Sequence, residues 1–290
     1  MRQTTMANKQ TPTAIADAFA RAHSERRVAL IPYVMAGYPD VATSEALAVA
    51  LCEAGADVLE LGVPFSDPLA DGATIQHAAQ RALELGMTPA AALDLAARVT
   101  ARVGTPVVLM GYYNPIYRFG LEDYCARAAE ARVVGLIVPD LPPEEAAPLQ
   151  EVAARHGIKL IFLVTPSSTD DRITRVVQMA AHTSGGFIYC VSLSGVTGAR
   201  DRLPEHLAAF LARVRVQTDL PLAVGFGVSR PEHVAEIGQL ADGAVVASAL
   251  LNAVDAAPPE ERVAAGVAFL RALQSSGRVL APRARSRRSR

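Results

Sequence analysis

Val28-Ala29-Leu30-Ile31-Pro32-Tyr33-Val34 is the first of eight short, nearly unbroken apolar runs in the chain. The others begin at Asp57 (DVLELG), Pro106 (PVVLMG), Val133 (VVGLIV), Ile158 (IKLIFLV), Gly186 (GFIYCV), Pro221 (PLAVGF) and Gly243 (GAVVAS). A strand with one wet face alternates apolar and polar residues. A strand covered on both faces does not, so these runs read as parallel strands lying between other layers. The longer Ala-rich stretches between them read as helices. Residues 43–54 stop at Gly55, 89–103 follow Thr88 as a cap with Pro89 first in the helix, and 143–156 stop at Gly157. Pro231 and Pro259 mark two further helix starts. Eight βα units in one chain predict an α/β fold, a (β/α)8 or TIM barrel. An open, doubly wound sheet is the alternative.

A chain of 290 residues buries roughly 75% of its unfolded surface and needs no disulfide or metal staple. Residues 1–277 are read as one barrel domain opened by a short N-terminal helix. Residues 278–290 are read as a disordered Arg/Ser-rich tail. The formal charge of −1 is the sum of two unlike parts. Arg283, Arg285, Arg287, Arg288 and Arg290 all lie in the last eight residues, and without them the rest of the chain stands at −6. Such a body is no specific nucleic-acid binder. Cys52, Cys125 and Cys190 are too few and too far apart for a disulfide framework or a C-x-x-C site. No secretory signal and no membrane-length apolar run is visible, so a cytoplasmic protein with reduced thiols is expected. The six His show no ligand spacing, and no metal is expected.

Intervals between run starts point to the site. The second-to-third interval is 49 residues and the sixth-to-seventh 35, longer than the rest. In a barrel of this kind the loops at the C-terminal ends of the strands carry the chemistry. The excess is therefore expected in the loops after the second and sixth runs. In the second run, Val58, Glu60 and Gly62 share one face, and Leu59 and Leu61 the other. The leucines are expected against the helices, which turns Glu60 into the barrel. Burial there raises a carboxyl pKa toward the range of a general acid–base. A structural carboxylate tied to backbone or Arg is the alternative. The loop that follows, residues 63–72, holds Pro64, Asp67, Pro68, Asp71 and Gly72, a specified turn that brings Asp71 toward the same cavity. Asp67 reads by itself as a turn cap. Ser192-Leu193-Ser194-Gly195-Val196-Thr197-Gly198 reads as a mobile lid. Gly225-Phe226-Gly227 and Ala247-Ser248 end the last two runs, where barrels of this type often bind phosphate.

Residues 59–72, LELGVPFSDPLADG, resemble the signature of the tryptophan synthase alpha subunit family. Five further segments resemble that family in the same order: Pro32 to Pro39, Tyr112 to Pro115, Val138 to Pro142, Ser194 to Gly198, and Gly225 to Gly227. The resemblance runs from Ile15 to Leu273. It implies a lyase that cleaves indole-3-glycerol phosphate to indole and glyceraldehyde 3-phosphate by a retro-aldol step. It implies Glu60 as the acid–base at indole C3, Asp71 at the indole nitrogen, and Tyr189 with them as the catalytic group. Tyr33, Tyr112 and Phe226 are implied as walls of the substrate pocket, with Thr197 closing the lid and orienting Asp71. Gly198, Gly227, Ala247 and Ser248 are implied at the phosphate. Asp67, Pro68 and Asn114 are implied at an interface with a beta subunit in an α2β2 assembly. No cofactor is implied for this chain, since the family's pyridoxal phosphate belongs to the beta subunit. Two other readings are an activator of the beta subunit with little catalysis, and a stand-alone indole-releasing lyase. Three features depart from the family pattern. Met35 stands in place of Thr, Ala247 in place of Gly, and the tail matches nothing. Ala247 raises the question of whether its backbone needs a positive φ.

Overall fold

The computed structural model describes residues 14–182, 186–191, 206–225 and 227–275. Its strands are β1 (Ala29–Met35), β2 (Leu59–Gly62), β3 (Val107–Met110), β4 (Gly135–Ile137), β5 (Lys159–Ile161), β6 (Leu163–Val164), β7 (Ile188–Val191), β8 (Leu222–Gly225) and β9 (Gly243–Val246). Its helices are α1 (Ala14–Ser24), α2 (Val41–Glu53), α3 (Ala73–Glu84), α4 (Pro89–Thr100), α5 (Tyr113–Phe119) and α6 (Leu121–Glu130). They continue with α7 (Ala147–Arg155), α8 (Asp170–His182), α9 (His206–Arg215), α10 (Pro231–Gly238), α11 (Ser248–Asp255) and α12 (Arg262–Gln274). Among the described residues, no helix is long and apolar enough to cross a membrane.

All strand pairs are parallel, in the order β5-β4-β3-β2-β1-β9-β8-β7-β6. The two ends of that order are consecutive in sequence. β5 pairs with β4 and β6 with β7, and only Phe162 separates them. Its carbonyl accepts from the Tyr189 amide at 3.0 Å. The fifth apolar run thus changes neighbours halfway along, giving nine strands from eight runs and leaving no free edge. That closes the barrel and removes the open-sheet alternative.

Side chains divide by strand parity. Leu59 and Leu61 pack in the large cluster between barrel and helices. Val58, Ala29, Ile31, Val108, Ile137, Ile161, Phe187, Ala223 and Val245 fill the inside. Helix α1 plugs one end of this interior with Ile15, Ala18, Phe19 and Ala22.

Helix boundaries follow local chemistry. Asp40 caps α2 by accepting from the Thr43 amide at 2.8 Å, and Thr88 caps α4 through the Ala91 amide at 3.2 Å. Pro231 opens α10 as expected, whereas Pro259 opens a short 3-10 turn, with α12 following at Arg262. The helix expected from residue 143 begins at Ala147 instead. Pro148 decides this. Well inside a helix its ring clashes with the preceding turn and an N–H is lost, whereas in the first turn it costs nothing. The excess after the second run is also distributed differently from expectation. It supplies loop 63–72 and a whole extra helix, α3, before α4. The excess after the sixth run lies largely outside the described residues, as does the tail at 278–290.

At the N-terminal end of the strands, the buried Asp57 accepts from Arg27 at 2.5 and 2.9 Å and from the Leu30 amide at 2.9 Å. It ties the starts of β1 and β2 together. Asp242 does the same for β8 and β9 through the Leu222 amide at 2.8 Å and Arg215. Asp57→Ala leaves the Leu30 amide without its acceptor and Arg27 without its partner. A loss of about 2 kcal/mol in urea unfolding is expected; unchanged stability would show that the tie is dispensable.

Candidate active site

Glu60 stands at the middle of β2, in register with Tyr33 on β1 and Val108 on β3. It is 1% exposed, and neither carboxyl oxygen has a hydrogen-bond partner among the described residues. Parity puts it on the inner face with Val58. The structural alternative, a carboxylate tied to Arg or backbone, fits Asp57 on the same strand run and not Glu60. Burial first, and the negative charge of Asp71 second, push Glu60 up to about 8; the neighbouring Tyr189 hydroxyl pulls it partly back.

Asp71 arrives from loop 63–72, which is an ordered turn. Its amide donates to the Pro68 carbonyl at 3.0 Å, and its carbonyl accepts from the Gln76 side chain at 2.8 Å. Asp67 behaves as the turn residue it resembles. Its carboxylate accepts from Ser66 Oγ at 2.5 Å and its carbonyl from the Leu69 amide at 3.0 Å. The loop is pinned to β3 by Tyr112, whose hydroxyl accepts from the Ala70 amide at 2.9 Å and whose ring lies 5.3 Å from that of Phe65. Burial raises Asp71 to about 6, with the Tyr112 hydroxyl opposing the rise.

Three tyrosines close around the two carboxyls. Tyr33, Tyr112 and Tyr189 all feel the charge of Asp71, and Tyr33 and Tyr189 that of Glu60 as well. Burial, reinforced by those charges, holds all three phenols neutral well above their ordinary range. Space for two of them comes from missing side chains. A Cβ on Gly62 would overlap the Tyr33 hydroxyl, and one on Gly225 would come within 2.9 Å of the Tyr189 ring. Met35 takes part as well, since the Tyr33 hydroxyl donates to its Sδ at 3.8 Å.

Five residues singled out in the sequence, Tyr33, Glu60, Asp71, Tyr112 and Tyr189, are therefore one cluster. Ala247 and Ser248 form the N-terminus of α11, directly after β9. Ala247 has φ −115°, so alanine meets no left-handed requirement there. Gly227, after β8, has φ +69° and does need glycine. Asp67 and Asn114 are exposed and Pro68 partly so. Thr197, Gly198 and Phe226, and the lid reading of 192–198, lie outside the described residues.

Two features went unassigned in the sequence. Asp140 accepts from the Tyr113 amide at 2.9 and 3.2 Å and so fixes the start of α5 next to Tyr112. Its signal was a carboxylate shortly after a buried strand, at the end of the barrel where the site was expected. Leu69, 94% exposed, and Tyr117, 65% exposed, stand beside Asp67 and on the helix of Asn114. A cavity of about 290 Å3 is walled by Pro139, Leu141, Phe162, Leu163 and Arg172, and neither Glu60 nor Asp71 lines it. Among the described residues, no group of three or more His, Cys, Asp or Glu could hold a metal ion.

A closed (β/α)8 barrel with a buried carboxyl, Glu60, on its inner face and a second, Asp71, brought to it by the loop after β2 is the architecture of a barrel enzyme. Residues 19–276 match the family described as tryptophan synthase alpha chain. The tryptophan synthase alpha chain of Chloroflexus aggregans is 52% identical over 263 residues, covering 90% of this chain and 97% of that one. A solved chain of Mycobacterium tuberculosis tryptophan synthase is similar at 36% identity and TM-score 0.84, covering 92% of this chain and 99% of that chain. The alpha chain from Legionella pneumophila is similar at 35% identity and TM-score 0.81, covering 91% and 97%. The chain belongs to the tryptophan synthase alpha chain family.

The raised carboxyl has a consequence for stability. Folded, Glu60 gives up its proton near pH 8; unfolded, near its ordinary 4.5. Between those values the folded state holds more protons, so stability from this group falls as pH rises. Glu60→Gln removes the buried charge. It is expected to raise Tm at pH 9, with the gain shrinking toward pH 5, where Glu60 is neutral in the folded protein. A gain equal at both pH values would contradict the burial argument.

Proposed function

We propose that Glu60 and Asp71 divide the work of cleaving indole-3-glycerol phosphate to indole and glyceraldehyde 3-phosphate. The observation that carries the division is their unequal pKa. At pH 7 Glu60, near 8, holds its proton, while Asp71, near 6, is ionised. Glu60 then delivers a proton to indole C3, and the positive charge that develops on the ring is met by Asp71 at the indole N–H. The carbon–carbon bond breaks as the side-chain hydroxyl gives up its proton, its electrons forming the aldehyde and the bonding pair restoring the aromatic ring. Glu60, now a carboxylate, is the base that takes that proton and returns to its starting state. Tyr33 and Tyr112 wall the indole, and Tyr189 supports Glu60. Gly227, Ala247 and Ser248, with Gly198, present backbone N–H groups to the substrate phosphate at the start of α11. Thr197 orients Asp71 as the lid closes, and Phe226 adds to the pocket wall. No step calls on a cofactor held by this chain.

The alpha family also supports a beta-subunit partner that receives the indole. Leu69 favours it over a stand-alone lyase. A nearly naked leucine in an ordered loop, next to Asp67 and Pro68, is what a docking surface presents. An α2β2 assembly follows if the beta subunit is itself a dimer.

Steady-state indole release tests the chemistry. Glu60→Gln is expected to lower kcat by about 10^2-fold or more, and equal activity in both proteins would sink the lyase assignment. Docking is tested separately by titrating beta subunit into wild type and Leu69→Asp. A Kd weaker by about tenfold, with basal indole release unchanged, is expected; an unchanged Kd would remove Leu69 from the interface.

A further inference from the structure

The barrel interior contains a column of aromatic rings that starts at the plug helix and ends at the candidate acid. Phe19, on α1, lies with its ring 5.5 Å from that of Phe187, tilted by 48°. Phe187 lies 6.1 Å from Tyr189, tilted by 35°. The rings are 4%, 1% and 6% exposed respectively by residue, so none can relax into solvent. Their separations are those at which aromatic pairs attract beyond simple burial.

The column is clamped at both ends by strand positions without side chains. A Cβ on Gly243 would lie 2.9 Å from the Phe19 ring, as one on Gly225 would from Tyr189. Ring and backbone are thus in contact at β9 for the first ring and at β8 for the last. Phe187 immediately precedes β7, two residues before Tyr189, so parity sends both side chains into the same interior. Tyr189 is the only ring of the three that reaches Glu60 electrostatically.

We propose that Phe19 and Phe187 are positioning residues: by stacking beneath Tyr189 they hold its hydroxyl beside Glu60, so that the plug helix α1 sets the state of the candidate acid from the opposite end of the barrel. This rests on Glu60 being the group that carries the reaction. The charged and titratable groups facing Glu60 are Asp71 from loop 63–72, Tyr33 from β1 and Tyr189 from β7, with Tyr112 behind Asp71. Only Tyr189 touches the column. Tyr189 is also the neighbour that lowers the Glu60 pKa, so a Tyr189 that is less firmly held lets that pKa climb.

The test is a titration of the Glu60 carboxyl by 13C NMR in full-length, glutamate-labelled protein, with the signal assigned by its loss in Glu60→Gln. It needs no substrate, so it reads the column even if the chain cleaves something else. Phe19→Leu and Phe187→Leu are measured in parallel, with Ile15→Val on α1 as a control that loosens the plug without touching a ring. Each Phe variant is expected to raise the midpoint by about half a pH unit and to move the acidic-form limb of the kcat profile for indole release by the same amount. Ile15→Val is expected to lower Tm and leave the midpoint in place. A midpoint that stays or falls in the Phe variants, or rises equally in Ile15→Val, overturns the proposal. A midpoint that rises while the kcat profile stays still keeps the column and removes Glu60 from the chemistry.

Discussion

Glu60 is an acidic side chain on the inner face of a parallel barrel, with no hydrogen-bond partner among the described residues. An isolated carboxylate there is costly, and the group answers by holding its proton. Most of the site follows from that. A second carboxyl close by, Asp71, adds to the pressure on Glu60, and because Asp71 is less deeply enclosed its own rise is smaller. Three phenols complete the enclosure without bringing a cation that would discharge it. Near neutrality the two acids are thereby held apart, Glu60 protonated and Asp71 ionised.

The same barrel treats two other acids in the opposite way. Asp57 and Asp242 sit at the starts of strands, each accepting a backbone N–H from the neighbouring strand and each paired with an Arg. They stabilise the fold because each carboxylate is met by a backbone N–H and a guanidinium. Satisfied carboxylates thus stand at the starts of the strands, and the unsatisfied one, Glu60, lies farther along the barrel axis.

Much of this was legible in the chain. The eight apolar runs locate every strand, because a doubly covered strand leaves no polar face to disguise it. Alternation around Glu60 fixed its direction, since a period of two allows no other outcome once Leu59 and Leu61 are assigned to the helix layer. Other details were not legible. Phe162 looks like any residue in its run, yet it is where the strand changes partners, a fact of closure and not of local preference. The extra helix α3 was hidden in an interval read as loop. Pro148 was available as a signal for the late start of α7, but Pro143 offered an equally good helix start five residues earlier.

Sequence alone determined the kind of fold, the inward direction of Glu60, and the family to which residues 59–72 point. These are properties of patterns within a few residues, and local sterics and periodicity settle them. Only the tertiary structure decided that Tyr33, Tyr112 and Tyr189, spread over 157 residues of chain, surround the same two carboxyls, and that Phe19 stands under Tyr189 through Phe187. Those meetings depend on how many strands close the barrel and on which positions lack a Cβ. Distance through space across a closed barrel carries no trace in the spacing of residues along the chain.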